Sequence, residues 1–204
     1  MASPPRFMGN DSLILEGVVT TISLDGSVNI SPMGPRVDTP LTQLVLRPYQ
    51  TSTTYRNLKR TGQGVFHVTD DVELLAQAAV GQPNPLPPLQ PAGVVEGQII
   101  LSACRWYAFR VQSLDDSQER TEIVCEVVGS GTLRDFLGFN RAKHAVLEAA
   151  ILATRTDFLP GGEILAEFER LRTLVDKTGG PPELRAFDLL QVVVRSRLAA
   201  KGGA

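Results

Sequence analysis

Near residue 130 the spacing of apolar side chains changes from every second residue to every third or fourth, and that change divides the chain. Before it, residues 99–113 and 120–128 read as two long strands. Tyr107, Phe109 and Val111 share one face of the first, and Ile123, Cys125 and Val127 share one face of the second, because successive strand side chains alternate. After Gly129-Ser130-Gly131 the period is helical. Residues 140–154 carry Ala142, Ala145, Val146, Ala149 and Ala153 on one stripe, and residues 163–178 carry Ile164, Phe168, Leu171 and Val175. Gly179-Gly180 ends that helix, and Pro181-Pro182 opens a third on Leu184, Phe187, Gln191, Val194 and Leu198. Strands followed by a run of helices describe an α+β chain. The expected organisation is a barrel domain over residues 1–130 and a helical extension packed on it over 131–204.

The strands before that point are marked by their turns. Residues 16–23 are rich in β-branched side chains, Asp25-Gly26 is a tight-turn pair, and residues 27–30 resume the alternation. Pro32 and Pro35 cannot donate to a ladder, so the second strand is expected to end at Ser31-Pro32-Met33-Gly34-Pro35. Residues 41–47 form a third strand, stopped by Pro48. A short helix is predicted over residues 54–60, with a hydroxyl residue as N-cap and Gly62 just past its end. Residues 64–69 read as another strand, after which Asp70 is expected to cap a helix on Val72, Leu75, Ala76 and Ala79. Five prolines make residues 82–93 an extended arm, with Leu86 and Leu89 too apolar for a plain linker. Five or six antiparallel strands suffice for a small closed or split β-barrel.

A chain of 204 residues, 43% hydrophobic and 21% charged, has a globular composition. Its net charge of −2, with basic residues scattered among acids, gives no footprint for nucleic acid. No run reaches the about 20 apolar residues of a membrane span. Residues 1–10 lack the apolar core of a secretory signal, so a cytoplasmic protein is expected. If residues 99–113 and 120–128 form a hairpin centred near Ser117, Cys104 lies opposite a residue near Ser130 and Cys125 opposite one near Phe109. The thiols are then roughly 17 Å apart at strand rise, beyond the roughly 7 Å between Cα atoms that a disulfide spans. Both are read as buried free thiols.

Catalytic motifs of the metal, nucleophile and P-loop kinds are missing, and the two histidines, His67 and His144, stand far apart in sequence. No Rossmann glycine fingerprint is present. The feature best suited to chemistry is the run Thr51-Ser52-Thr53-Thr54, with Arg47 upstream and Arg56 and Lys59 downstream. Hydroxyls and the unpaired N–H groups of a helix start, converging on one small volume, make an anion site fit for a phosphate monoester. The same run also reads as an ordinary N-cap with a polar turn. Arg141, His144, Glu148 and Arg155 fall on one stripe of the first long helix, either a solvated face or part of a cationic rim. Trp106 is either a core residue or a stacking surface, and His67 a strand residue with a satisfied hydrogen bond.

The segment Arg47-Pro48-x-x-Thr51-Ser52-Thr53-Thr54-x-x-Asn57-Leu58, followed by Gly64-Val65-Phe66-His67-Val68, resembles the phosphate segment of split-barrel flavin reductases. The whole chain is similar to a family known only as a domain of unknown function, whose members carry FMN on a split barrel. The resembling blocks include Glu16-Gly17-Val18-Val19-Thr20-Thr21, Gly34-Pro35-Arg36, Phe66-His67-Val68-Thr69-Asp70-Asp71 and Gly138-Phe139-Asn140-Arg141-Ala142-Lys143-His144. They run from about residue 13 to 155.

The resemblance implies an FMN-binding split β-barrel with a C-terminal helical extension, working as a homodimer. It implies that Arg47, Thr51, Ser52, Thr53 and Thr54 hold the flavin phosphate, and that Ser31, Pro32, Met33 and Gly34 line the isoalloxazine edge. Arg141 and Lys143, with His144, are expected to form a cationic rim over the flavin, and Asn57 to brace the helix against the barrel. The implied function is that of an oxidoreductase whose flavin carries hydride or electrons, with substrate and electron donor open. A non-catalytic flavin carrier and a cofactor-free structural dimer are the alternatives.

Overall fold

The computed structural model describes residues 13–202. The expectation for residues 1–10 lies outside that range. In chain order the elements are β1 (Leu13–Ile14), β2 (Gly17–Ile22), β3 (Val28–Met33), β4 (Arg36–Val37), β5 (Gln43–Leu46), α1 (Thr53–Thr61), β6 (Gln63–Val68), α2 (Val72–Val80), β7 (Leu89–Pro91), β8 (Gln98–Ile100), β9 (Arg105–Asp115), β10 (Glu122–Thr132), α3 (Arg141–Ala153), α4 (Gly161–Thr178) and α5 (Pro181–Gly202). Eight strands pair antiparallel in the order β1-β4-β5-β10-β9-β6-β2-β3, while β7 and β8 form a separate ribbon. The long sheet curls into a split β-barrel. Among the described residues no helix is long and apolar enough to cross a membrane.

Strand β2 is the wall between two cores. Val19 faces the barrel interior with Leu44, Leu46, Phe66, Phe109 and Ile123. Its neighbour Val18 faces the other way and packs with Ile30 against α2, α3, α4 and α5, as strand alternation requires. The helices therefore share their core with the sheet.

Several elements differ from expectation for local reasons. β3 continues through Ser31 and Pro32 to Met33, with Pro32 opposite Val18. As the outer strand of the sheet, it needs no donor on its free side. The stretch 99–113 is broken: β8 ends at Ile100, and β9 starts only at Arg105. β10 runs on through Gly129-Ser130-Gly131 to Thr132. The indole of Trp106 lies across that strand, and a Cβ at Gly131 would come 2.6 Å from its Nε1, so a side chain there would collide. The β9–β10 pairing runs from Glu122 opposite Asp115 to Thr132 opposite Arg105 with two bulges. Cys125 consequently pairs with Val111 instead of Phe109, and the carbonyl of Cys104 accepts from Leu133 N–H (2.9 Å). Both cysteines are buried and free.

Helix α2 is capped by Asp71, whose carboxylate accepts from Leu74 N–H (3.0 Å), and not by Asp70. The arm also divides: Leu89 packs against the helical core while Leu86 stays exposed. Lys201 belongs to α5 and donates to the Thr156 carbonyl (2.6 Å).

Candidate functional site

Between the outer strand β3 and the paired helices α2 and α3 runs a cleft of about 590 Å³. It exists because α2 and α3 present small side chains, Ala78, Ala79 and Ala150, flanked by Leu75, Leu147 and Ile151. One wall is thus apolar. The opposite wall is Ser31, Pro32, Met33 and Gly34, with Glu16 beside them. A Cβ at Gly34 would come 2.7 Å from a Glu16 carboxylate oxygen, so the carboxyl lies directly against the glycine.

The floor is cationic. Arg47 follows β5, where Pro48 ends the strand, and the next residues are fastened to the start of β10. The carbonyl of Pro48 accepts from Thr121 N–H (3.0 Å) and from its hydroxyl (2.8 Å), and Gln50 N–H donates to the Glu119 carbonyl (2.9 Å). That fastening brings Arg120 to the same cleft, where its Nε donates to the Arg47 carbonyl (3.3 Å). Arg36 and Arg155 complete the set. The Nε–H of Arg47 is buried without a hydrogen-bond partner, and no other side-chain nitrogen or oxygen among the described residues is in that state. Neither Asp38 nor Asp70 pairs with it. Asp38 accepts from the N–H groups of Thr42 (2.8 Å) and Gln43 (3.0 Å), and Asp70 is paired with Arg134 and Lys143. Arg47 lines the cleft, and a guanidinium there with a donor left unpaired is a recognition element for an anion.

Glu16 is the one acid of the cleft lining. Burial, and then the charge of Glu148 on α3, push its carboxyl above the ordinary carboxylate range. A proton on Glu16 Oε is therefore held more firmly than on an exposed glutamate.

The hydroxyl run does not converge on one volume. Successive positions at a helix start are rotated by about 100°, and the four side chains go separate ways. Ser52 lines the cleft and caps α1, its hydroxyl accepting from Tyr55 N–H (3.1 Å). Thr51 lines an adjoining groove. Thr53 accepts from Arg56 (3.0 Å) in a depression beside Asp25 and Ser27. Thr54 is buried and accepts from Asn29 Nδ2 (3.1 Å). At the other end of α1, Gly62 takes φ 68° as its left-handed C-cap. Asn57 braces the helix, donating to the Thr21 hydroxyl (3.0 Å).

On α3 the cleft is met by the C-terminal half. Lys143 donates to the Asp70 carbonyl (2.7 Å) and lies 3.7 Å from its carboxylate. Arg141 is exposed at the opposite end of the helix from the cleft-lining residues. His144 stacks on Phe139, ring centroids 5.8 Å apart, with no ion pair to Glu148. The α3 stripe does reach the cleft, through Arg155. His67 is structural: its Nε2 accepts from Ile100 N–H (3.0 Å) and its Nδ1 faces the Val18 carbonyl (3.4 Å). Burial drops its pKa to about 4 and keeps it neutral. Trp106 packs with Val65, Ile99 and Ala108, away from the cleft. Among the described residues no group of acids, histidines and cysteines is placed to hold a metal ion.

Sequence reasoning missed Glu16, Arg36 and Arg120 as cleft residues. Only Arg155 carried a signal, as the last member of the stripe Arg141, His144, Glu148. Arg120 reaches the site through the bridge between Tyr49 and Arg120, which no local pattern announces.

Comparison with known proteins gives the chain its relatives. Residues 15–134 match the model described as the N-terminal domain of the protein of unknown function DUF447, and residues 140–191 match its second DUF447 model. No curated protein matches the sequence. Among solved structures, the chain is similar to an FMN-bound DUF447 protein from Methanosarcina mazei. The two share 20% identity and a TM-score of 0.76, over 88% of this chain and 94% of that one. A flavin reductase domain protein from Arthrobacter sp. FB24 is 16% identical with a TM-score of 0.51, over 59% and 79% of the two chains. An FMN-binding protein from Thermus thermophilus, solved with 1-cyclohex-2-enone, is 12% identical with a TM-score of 0.51, over 65% and 78%.

Proposed function

The chain belongs to the DUF447 family, and from that premise we propose that it is an FMN-binding flavoprotein acting as an oxidoreductase. The observation that carries this reading is the buried, unpartnered Nε–H of Arg47 in the cationic floor of a cleft whose helical wall is apolar. A desolvated donor of this kind is costly unless an anion meets it. The volume of about 590 Å³ is within the range of cofactor sites. The residues present fit FMN. Arg47, with Ser52 and the N–H groups opening α1, takes the phosphate, and Arg120 and Arg155 add charge beside it. The wall from Ser31 to Gly34 takes the isoalloxazine edge, with the Glu16 carboxyl packed against Gly34. Leu75, Ala78, Leu147 and Ile151 cover the opposite face and exclude water. When bound, FMN supplies hydride and electron transfer. The chain's own part is to bind, to shield, and to set beside the flavin-lining wall a carboxyl, Glu16, that holds its proton more firmly than an exposed glutamate does. In this reading residues 131–204 are a helical extension whose first helix closes the cofactor cleft.

The test is affinity for two flavins. Arg47→Lys should weaken FMN binding and Arg47→Ala should weaken it further, each lost charged hydrogen bond being worth about 1.5–3 kcal/mol. A guanidinium grips two phosphate oxygens at once, whereas an ammonium is a point charge. Riboflavin, lacking the phosphate, should be nearly indifferent to both changes. An unchanged ratio of FMN to riboflavin affinity removes Arg47 from the site. Reduction of the flavin-loaded protein by NADH or NADPH in a stopped-flow instrument separates an oxidoreductase from a carrier that only a photochemical donor reduces.

The working form is a homodimer. In support, the cleft rim carries Ile14, 56% exposed, next to Leu13 at 63%, and the segment before α3 exposes Leu137 and Phe139. Apolar groups gathered in this way mark contact surfaces. Sedimentation should give twice the mass of 22.1 kDa; a monomer that retains FMN rules the dimer out.

A further inference from the structure

The cleft does not end at its cationic floor. Past the loop of residues 47–50 it joins a groove of about 1100 Å³. Tyr49, Arg120, Ile151, Thr154 and Arg155 line both spaces, so the arginines stand at the junction. The remainder of the groove is formed by residues that do not line the cleft, among them Thr51, Glu119 and Phe158.

The chemistry of these groups is specific. Arg120 is fixed in place, by its bond to the Arg47 carbonyl and by lying 5.8 Å from the centroid of the Tyr49 ring. With Arg155 it offers a second site of positive charge beyond Arg47. Phe158 is 72% exposed, although the turn that carries it is well fastened: its N–H donates to the Arg155 carbonyl (2.9 Å), and Leu159 N–H donates to the same oxygen (3.1 Å). A rigidly presented aromatic ring in a wet groove is a stacking surface for a flat heterocycle. Glu119, exposed in the same groove, supplies carboxylate acceptors for hydroxyl groups. An anion next to arginines, a diol within reach of a carboxylate and a base on a phenyl ring together describe one moiety.

We propose that the groove is a subsite for an adenosine phosphate, its phosphate at Arg120 and Arg155 and its base on Phe158. This rests on the proposed function in one respect, that a flavin occupies the adjoining cleft. Two molecules carry the moiety to that place: FAD, whose AMP half continues from the flavin phosphate, or a nicotinamide dinucleotide lying beside bound FMN.

Calorimetric titration of the full chain with FMN, with FAD, and with 5′-AMP added to FMN-saturated protein distinguishes the two sources. The wild type is compared with Phe158→Ala, a change outside the cleft. FMN affinity should be the same in both proteins. If FAD is the source, FAD binds the wild type at least as tightly as FMN and loses about tenfold in the variant, the scale of a base stacked on an aromatic side chain. If a separate dinucleotide is the source, 5′-AMP binds the FMN-loaded wild type and loses a similar factor in the variant. The proposal is overturned if 5′-AMP does not bind and FAD is indifferent to Phe158→Ala, or if FMN and FAD weaken equally. Should neither flavin bind while 5′-AMP binds the protein in a Phe158-dependent way, the flavin reading falls and the adenosine phosphate site stands.

Discussion

Glu16 is an acid placed among arginines, yet burial and the nearby Glu148 charge dominate its ionisation and raise its pKa. The sign of the consequence follows from linkage. A carboxyl that holds its proton more tightly folded than unfolded contributes stability at pH values below the ordinary carboxylate range, and that contribution is lost as pH rises through the raised folded value. Glu16→Gln should therefore raise the melting temperature of the apo-protein at pH 8, by about 2–4 °C for each kcal/mol relieved, and leave it unchanged at pH 4. Scanning calorimetry at the two pH values checks this, and an equal shift at both denies that ionisation is the cause. At this scale the sequence was legible only where a residue acts on its neighbours. Ser52 as a cap and Gly62 as a C-terminal stop follow from positions within one helix turn. Arg47 announced itself by standing before Pro48. Arg36, Arg120 and Glu16 did not, because each reaches the cleft through strand pairings that join distant parts of the chain.

The start of α2 shows how elements are tied together. Two aspartates stand in a row: Asp71 caps the helix, which frees Asp70 to serve as the junction of three segments. Its carboxylate pairs with Arg134 and with Lys143 of α3, and accepts from Leu137 N–H (3.4 Å). Lys143 also approaches Glu183 of α5 (3.8 Å). Burial by itself would raise the Asp70 pKa, but the Arg134 hydrogen bond, the Leu137 N–H and the two cationic charges outweigh it and hold the group down to about 2. A depressed carboxylate stabilises the fold above its unfolded value and ceases to do so as pH falls through the folded one. Asp70→Asn should cost about 2 kcal/mol at neutral pH, and the difference from wild type should shrink between pH 4 and pH 2. Urea midpoints across that range test it, and a constant difference would assign the loss to packing. The junction also explains the break between β8 and β9 that alternation alone did not reveal. Arg134 donates to the Ser102 carbonyl (2.9 Å), and Cys104 N–H to the Val68 carbonyl (2.9 Å), bending residues 101–104 out of line. The long helices were legible to within two residues because their buried stripes are self-contained. The run of β10 through Gly129 and Gly131 was not, since its cause is the Trp106 ring on the opposite strand.

Across the whole molecule, the shared wall β2 couples barrel and helices, and the cleft is the seam where β3, α2 and α3 meet. Its β3 wall stands about 40 residues of sequence from the lining of α2 and more than 100 from that of α3, so strand and helix periods foretell the parts and not the gap between them. The same architecture has a practical reading in its two free thiols. Cys104 sits at the Asp70 junction, its Sγ–H 3.6 Å from the carboxylate, and Cys125 sits in the barrel interior. Burial raises the pKa of both, and neither meets an alkylating reagent until the chain opens. The pair is thus a built-in stopwatch with two hands, one timing separation of helices from sheet and the other the opening of the barrel. Because β2 belongs to both compartments, the hands should move together: under slow alkylation followed by mass spectrometry, intact molecules should pass to doubly modified ones with little singly modified species between. A long-lived population tagged at Cys104 alone would mean that the helical half swings away while the barrel stays shut.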